Sequence, residues 1–190
     1  AATGYVAFSS KNSHSGTTTF KCGVKDTPSN LNPIVNKINS SAGQLKTMRL
    51  AASCNGEYAQ HFGGTVTGAL AGINASMTRM NALFVIFLAI HLNLIANNDI
   101  LMYLNPATDP FSDGAAGSGG AWNAEAHNNL SAVLGNAAYD LGHLFCKTGG
   151  GGNAGCIGCV CEDDDLNDMT DLKKGSGFTS PESNTAAPAG

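Results

Sequence analysis

The spacing of apolar residues between Thr47 and Phe145 alternates between the period of a strand and that of a helix, which limits the fold strongly. Residues Thr47–Ala52 alternate apolar and polar, whereas apolar residues recur every third or fourth position from Thr65 to Phe84. The predicted order of elements is strand, helix, strand, strand, helix, strand. This order predicts an α/β (α+β) fold in which a mixed, twisted sheet of about four to five strands packs against two main helices.

The same spacing sets the bounds of the predicted elements. A Gly63-Gly64-Thr65 turn and N-cap precedes the first helix, and the second helix is predicted over Trp122–Asn136. The run Phe84–Ala96 is continuous, aromatic and β-branched, which predicts a central strand covered on both faces. The remaining predicted strands are Ile100–Leu104 and Tyr139–Phe145, and residues 105–120 are predicted to form a loop.

The composition divides the chain into three segments. Residues 1–45 contain two short strand-like runs, Tyr5–Phe8 and Thr17–Val24, and are predicted to form a small N-terminal hairpin region. Residues 46–161 hold the main domain. Residues 162–190 begin with an acidic loop and continue, from Lys173, as a tail rich in Gly, Ser, Pro and Ala that we expect to be exposed and mobile.

Charge and cysteine content restrict the classes of partner and compartment. Charged residues make up only 13% of the chain and the net charge is -4, so no basic surface for nucleic acid is expected. The apolar stretch Ala82–Ala96 is shorter than the roughly 20 residues of a membrane-spanning helix, so no membrane span is expected. Six cysteines and the Asn-x-Ser/Thr sites at Asn39, Asn74 and Asn129 predict a secreted, extracellular protein.

Seven short blocks in a fixed order carry a family resemblance. They are Met48–Ala52, Gly56–Tyr58, His61–Val66, Met77–Asn81, Leu94–Asp99, Asn105–Pro110 and Tyr139–Phe145, followed by a glycine run at 149–152. With these blocks the chain resembles the reprolysin-like (adamalysin-type) metzincins, in particular their bacterial secreted members. The resemblance implies the upper subdomain of a zinc-dependent endopeptidase that acts on protein or peptide substrates, preceded by pro-segment-like material.

The zinc-binding motif of that family is absent from this chain. No His-Glu-x-x-His pattern occurs, and the five histidines are scattered singly. Zinc is therefore implied by the family but is not expected to be bound by residues of this chain, and no catalytic residue is assigned. Two interpretations remain open: a fragment completed by the remainder of the peptidase, or a non-catalytic extracellular structural protein whose identical subunits cover its open face.

The resemblance also implies a strand that aligns substrate. In the family, a glycine-rich strand at the upper edge of the cleft pairs with extended peptide through main-chain hydrogen bonds. The corresponding substrate-binding candidates are Gly152, Asn153, Ala154, Gly155, Cys156, Ile157, Gly158, Cys159 and Val160. The alternative is that residues 149–155 are simply a flexible loop.

The cysteines permit several interpretations. Cys156, Cys159 and Cys161, with Cys146 nearby, suit either a local disulfide or a site with four thiolate ligands for zinc or an iron-sulfur cluster. The segment around Cys22 is similar to the cysteine switch of metzincin pro-regions, in which a thiolate occupies the open zinc position. A disulfide between Cys22 and another cysteine, Cys54, is the alternative.

Acidic residues and histidines complete the candidates. Clustered oxygen ligands suit calcium, although the glycine and the closing glutamate of a calcium loop are missing, so a solvated acidic loop is the alternative. These residues are Asp163, Asp165, Asn167, Asp168 and Asp171. His91 and His143 lie in predicted strands and are expected to be buried and hydrogen-bonded.

Overall fold

One mixed sheet of five strands organises the part of the chain that the computed structural model describes, residues 44–165, 167–168 and 170–181. The strands are β1 (Lys46–Cys54), β2 (Ile90–Leu94), β3 (Leu141–Phe145), β4 (Gly151–Asn153) and β5 (Gly177–Ser180). Their spatial order is β2-β1-β3-β5-β4, and only β4 runs antiparallel to its neighbour. The predicted fold class is thus confirmed, whereas the hairpin predicted in the N-terminal region lies outside the described residues.

Helices cover both faces of this sheet. They are α1 (Gly56–His61), α2 (Val66–Leu88), the short α3 (Gly114–Ala116) and α4 (Trp122–Leu134), with single 3-10 or π turns at Asn98–Leu101, Gly117–Ala121 and Asn136–Ala138. Helix α2 lies on the face of the sheet that carries Leu50 and Leu92. Helix α4 lies on the opposite face, where Leu144 and Phe178 pack against Trp122. The described residues therefore form three layers, with helix, sheet and helix stacked in turn.

Local sequence explains the limits of α2. Thr65 caps the N-terminus of the helix: its hydroxyl oxygen accepts a hydrogen bond from the main-chain N–H of Gly68, one of the first-turn amides that lack a partner within the helix, at 3.1 Å. The helix ends at Ala89, which has a left-handed φ of 53°. By length and composition α2 is apolar enough to cross a membrane, and 22% of its apolar window is buried in the structure, including Ile73 and Met77 against the sheet.

The predicted central strand Phe84–Ala96 is wrong. Its first residues continue α2 to Leu88, and only Ile90–Leu94 form a strand. That strand, β2, lies at the edge of the sheet rather than in its centre. The error arises because an apolar helix end followed directly by an apolar strand looks like one continuous run, which periodicity cannot divide.

The predicted strand Ile100–Leu104 is also wrong. Residues Asn98–Leu101 form a 3-10 turn, and Met102 makes only an isolated bridge to Cys54. The turn is held by the buried side chain of Asn98, which accepts a hydrogen bond from the N–H of Ala52 (2.9 Å) and donates one to its carbonyl (2.8 Å). One amide side chain thus replaces a neighbouring strand at the end of β1.

The C-terminal region is more ordered than its composition suggests. The mobile tail predicted from Lys173 is wrong for residues 173–181, because Gly177–Ser180 form β5, an internal strand of the sheet. Phe178 is buried against Trp122 at a ring-centroid distance of 5.2 Å. The sheet therefore extends past the boundary predicted at residue 161, and the predicted loop at 105–120 contains α3 and part of a π turn.

Asn81 protects the free edge of β2. Ile95 donates its N–H to the carbonyl of Leu50, so the main-chain groups of every second residue in this segment face β1. The main-chain N–H and C=O of Leu92 therefore point away from β1, toward the free edge of the sheet. The Asn81 side chain binds both outward groups of Leu92, accepting from its N–H at 2.8 Å and donating to its carbonyl at 2.9 Å. An unpaired sheet edge invites association with other chains, and here a side chain occupies it.

Replacing Asn81 with alanine is expected to cost about 1–2 kcal/mol of unfolding free energy, because two main-chain groups lose their partner. Urea unfolding measures this loss, and light scattering should show more aggregation. Asn93→Ala is the control, since Asn93 is exposed on the same strand. Equal behaviour of the two variants would contradict the protective role of Asn81.

Candidate functional site

A cavity of about 490 Å³ lies beneath the segment that follows β4. Its floor is formed by β3 and β5, and its roof by the loop at residues 154–160. Eight of the nine predicted substrate-binding residues line it: Gly152, Asn153, Ala154, Cys156, Ile157, Gly158, Cys159 and Val160. The ninth, Gly155, is close to Ser176 instead. The structure therefore brings the predicted segment to one place, although most of it forms a cavity wall rather than a strand.

Strand β4 is the free edge of the sheet on this side. Thr179 of β5 accepts a hydrogen bond from the N–H of Cys146 (2.9 Å), so the main-chain groups of Thr179 face β3. Gly152 is paired opposite Thr179 in the antiparallel ladder, and its own N–H and C=O therefore face away from β5. Gly152 thus directs one donor and one acceptor to the outer side of the sheet, the arrangement that binds an additional strand, although Gly152 itself is buried and the turn Gly117–Ala121 contacts β4.

The free edge is shorter than predicted. The extended conformation ends at Asn153, whose side-chain oxygen accepts a hydrogen bond from the N–H of Gly155 at 2.8 Å. The carbonyl of Ala154 accepts from the N–H of Cys156 at 2.8 Å and is not available to a peptide. The prediction of one edge strand over 152–160 is therefore wrong beyond Asn153, because side-chain and turn hydrogen bonds fold the chain over the sheet.

His143 lies on the floor of the cavity. Its Nε2 is 2.9 Å from the hydroxyl oxygen of Thr179, which confirms the predicted hydrogen bond, whereas the residues His143 and His91 are both partly exposed rather than buried as predicted. Burial lowers the pKa of His143 to about 4, so the ring is neutral near pH 7. Sequence reasoning missed Thr179 because it assigned this region to a mobile tail.

A second cavity of about 220 Å³ continues from the first toward α2. Both cavities are bordered by Leu141, His143 and Thr179, and the second also by apolar residues of α2 and the sheet. Together they form an open depression on the α2 face of the sheet, which we call the sheet trough. Its lining is mainly apolar, so it favours polypeptide over a charged ligand.

The cysteines separate into three environments. Cys156 and Cys159 form a disulfide within the cavity roof. Cys146 is buried and takes no part in a disulfide. Burial raises the pKa of the Cys54 thiol to about 12 and that of Cys146 well above its usual value, while Cys161 is exposed. The cysteine-switch candidate, Cys22, lies outside the described residues.

The described side chains do not fit a zinc ion. No three His, Cys, Asp or Glu residues among them are placed to share a metal, and the four described histidines belong to four different elements, α1, β2, α4 and β3. His143 is bound to Thr179, and His127 is fully buried with its Nδ1 3.0 Å from a carboxylate oxygen of Asp164. No hydrolytic step is assigned to these residues.

The acidic loop uses several of its carboxylates within the chain. Asp163 forms an ion pair with Lys174 at 2.7 Å, and Asp171 forms one with Lys173 at 3.0 Å. Asp165 and Asp168 accept hydrogen bonds from main-chain N–H groups two residues later. A calcium site in this loop remains a prediction.

A buried polar network behind the site escaped the sequence analysis. The Asp164 carboxylate, which has no exposed surface, contacts His127 and accepts hydrogen bonds from Ser131 (2.8 Å) and from the hydroxyl of Tyr139. It also accepts from the main-chain N–H of Gly175 at 3.2 Å. The network joins α4 to the segment between β4 and β5, so it holds in place the chain that supplies β5. No sequence pattern distinguished Asp164 from its exposed acidic neighbours.

Comparison with protein-family models identifies the wider relationship. Residues 44–187 match the model described as metallo-peptidase family M12B, reprolysin-like. The match takes in all five strands and both main helices, and it confirms the resemblance read from the sequence blocks. No curated protein matches the chain.

Proposed function

The chain belongs to the reprolysin-like group of metallopeptidase family M12B, and on this premise we propose that it forms the upper subdomain of a secreted, zinc-dependent endopeptidase. In this proposal the chain supplies the scaffold and the edge that aligns substrate. The zinc ligands come from other polypeptide, since the described side chains do not fit the metal.

The outer main-chain groups of Gly152 are the observation that carries the proposal. A peptide that adds to β4 in extended form is bound through hydrogen bonds that any sequence can make. Gly152 is buried, so the chain that covers it must move aside before a peptide reaches its outer N–H and C=O. Strand addition at this position would place a peptide along the cavity roof, beside Ile157 and Val160, which are both exposed.

The sheet trough supports the completion of the domain by further polypeptide. Its floor includes Leu141 and Phe145, and its walls include Met80 and Phe84 of α2. An apolar depression of this kind on a soluble protein usually marks a surface that another element covers. We propose that the remainder of the peptidase packs into the trough and carries the metal ligands there.

Secretion is part of the same proposal. The Cys156–Cys159 disulfide suits an oxidising compartment. Of the predicted glycosylation sites, Asn74 is exposed on α2, whereas Asn129 is 9% exposed and accepts a hydrogen bond from the hydroxyl of Tyr103. Asn39 lies outside the described residues. Only Asn74 among the described sites is therefore placed for modification.

Peptide binding at the edge is tested with fluorescein-labelled casein, an unstructured polypeptide, by fluorescence anisotropy. Gly152→Pro removes the outward N–H, so binding is expected to weaken about tenfold, the effect of losing one buried hydrogen bond of about 1.4 kcal/mol. Gly152→Ala is the matched control, since it adds a methyl group but keeps the N–H. Circular dichroism checks that both variants keep the fold.

Two results would count against this function. The edge assignment fails if Gly152→Pro binds casein as tightly as Gly152→Ala does. It also fails if the unaltered chain shows no binding to casein at about 100 μM protein, which would mean a Kd weaker than roughly that concentration. Light scattering on the same samples examines the alternative. Assembly that is abolished by Leu141→Glu, in the trough, would favour identical subunits as the cover and a structural protein rather than a peptidase.

A further inference from the structure

The C-terminal end of α2 carries a second exposed apolar surface, away from β4. Ile86 and Phe87 are each 75% exposed, and three further side chains around them are more than half exposed. We call this surface the α2 knob; its residues are Leu45, Leu83, Ile86, Phe87 and Leu88. It lies beside β2, at the sheet edge opposite the candidate substrate strand.

The knob consists of apolar side chains alone and contains no charged residue. In the whole of α2 the only charged residue is Arg79, which lies two turns before Phe87. Five large apolar side chains with more than half of their surface in water form a patch that soluble proteins rarely leave uncovered. An occupant of this surface must therefore be apolar.

The chain itself delivers such an occupant to this place. The main-chain N–H of Lys46 donates to the carbonyl of Ala89, the residue that ends α2, at 2.8 Å. Lys46 therefore lies beside the knob, and the preceding residue, Leu45, is part of it. The residues before Leu45 thus start from the rim of this surface rather than from a distant part of the molecule.

The composition of those residues matches the knob. Tyr5–Phe8 reads Tyr-Val-Ala-Phe, the most apolar run of the segment, and the first charged side chain is Lys11. About 36 residues separate this run from Lys46 in the sequence, and a chain of that length treated as a random coil has an end-to-end distance of roughly 30–36 Å. A tether of that length holds its end at an effective concentration on the order of millimolar, so even a weak apolar contact is populated.

We propose that the α2 knob is the docking surface for the N-terminal segment of the same chain, through the run Tyr5–Phe8. The contact is intramolecular and apolar. It does not depend on the peptidase assignment, because it involves neither β4 nor the sheet trough.

Photo-crosslinking tests the contact in the full chain. Phe87 is replaced by p-benzoylphenylalanine, which is similar in shape and reacts with neighbouring C–H bonds on irradiation. The matched control carries the same residue at Ala75, an exposed position on α2 about 18 Å along the helix axis. The expected product has the mass of one chain and, after trypsin digestion, joins the α2 peptide to the peptide Ala1–Lys11.

A second variant makes the result specific. Tyr5→Ser with Phe8→Ser is expected to reduce the crosslink at Phe87 at least fivefold, which follows from the loss of about 1 kcal/mol or more of apolar burial. Circular dichroism on this variant verifies that the described domain is unchanged. The proposal is overturned by crosslinks to a second copy of the chain, by crosslinks confined to residues 12–43, or by a yield at Phe87 no higher than at Ala75.

Discussion

Replacing Asp164 with alanine is expected to lower the free energy of unfolding by about 3–5 kcal/mol, the usual cost of removing one partner from a buried charged network. The carboxylate has no exposed surface and is shared by the side chains of His127, Ser131 and Tyr139. Without it, three buried polar groups lose a common partner, and water cannot replace it in a closed interior. Urea unfolding followed by circular dichroism measures the loss.

A neighbouring carboxylate provides the control for Asp164. The Asp163 side chain is 71% exposed, but its partner Lys174 is only 3% exposed and keeps the carbonyl of Asn136 at 2.7 Å, so Asp163→Ala is expected to cost a smaller amount, about 1–2 kcal/mol. The two substitutions remove the same group from adjacent positions, and only burial distinguishes them. Similar losses for both variants would show that the network behind the site does not support the fold.

Replacing Trp122 with alanine is expected to cost about 3–5 kcal/mol, because it opens a large cavity between α4 and β5. The indole is fully buried and packs edge-on against the ring of Phe178. Its N–H also donates to the carbonyl of Ser112 at 2.9 Å. Since Phe178 belongs to β5, we expect faster hydrogen exchange at Gly177–Ser180 as well as a lower unfolding free energy.

The Trp122→Phe variant separates packing from hydrogen bonding. It keeps an aromatic ring against Phe178 but loses the indole N–H, so a smaller loss of about 1–2 kcal/mol is expected. Hydrogen exchange in β5 should then stay close to that of the unaltered chain. Slow exchange at Gly177–Ser180 in Trp122→Ala would mean that α4 does not hold this strand.

The sequence predicted the elements whose apolar spacing was unambiguous. The strand at Thr47–Ala52, the start of the long helix at Thr65 and the helix from Trp122 all agree with the structure to within a few residues. In the two helices the apolar stripe faces the sheet, whereas β1 is buried on both faces from Leu50 to Cys54. These elements are sufficient to predict a sheet with a main helix on either side.

The errors have a common origin in contacts between distant residues. Asn81 and Asn98 complete strand edges with their side chains, which no local pattern reveals. The segment after Lys173 has the composition of a tail, yet Trp122 fixes it from about fifty residues upstream. Packing between residues distant in sequence therefore determines the secondary structure of segments, such as β5, whose composition predicts none.

The candidate site was predicted in position but not in shape. A family resemblance located residues 152–160, and eight of these nine residues line one cavity. The turn at Asn153 and the buried Asp164 network depend on side-chain hydrogen bonds across the fold, which a sequence does not display. The substrate role of these residues remains a prediction.

The position of β5 in the sheet affects how the protein is made. This strand comes last among the five in sequence but lies between β3 and β4, and β4 contacts the sheet through β5 alone. During synthesis from the N-terminus, β4 leaves the ribosome before β5, its only neighbouring strand in the sheet, has been synthesised. A nascent chain that has not reached Gly177–Ser180 has no partner strand for Gly152, so the peptide-binding edge proposed above forms only after β5 has been synthesised.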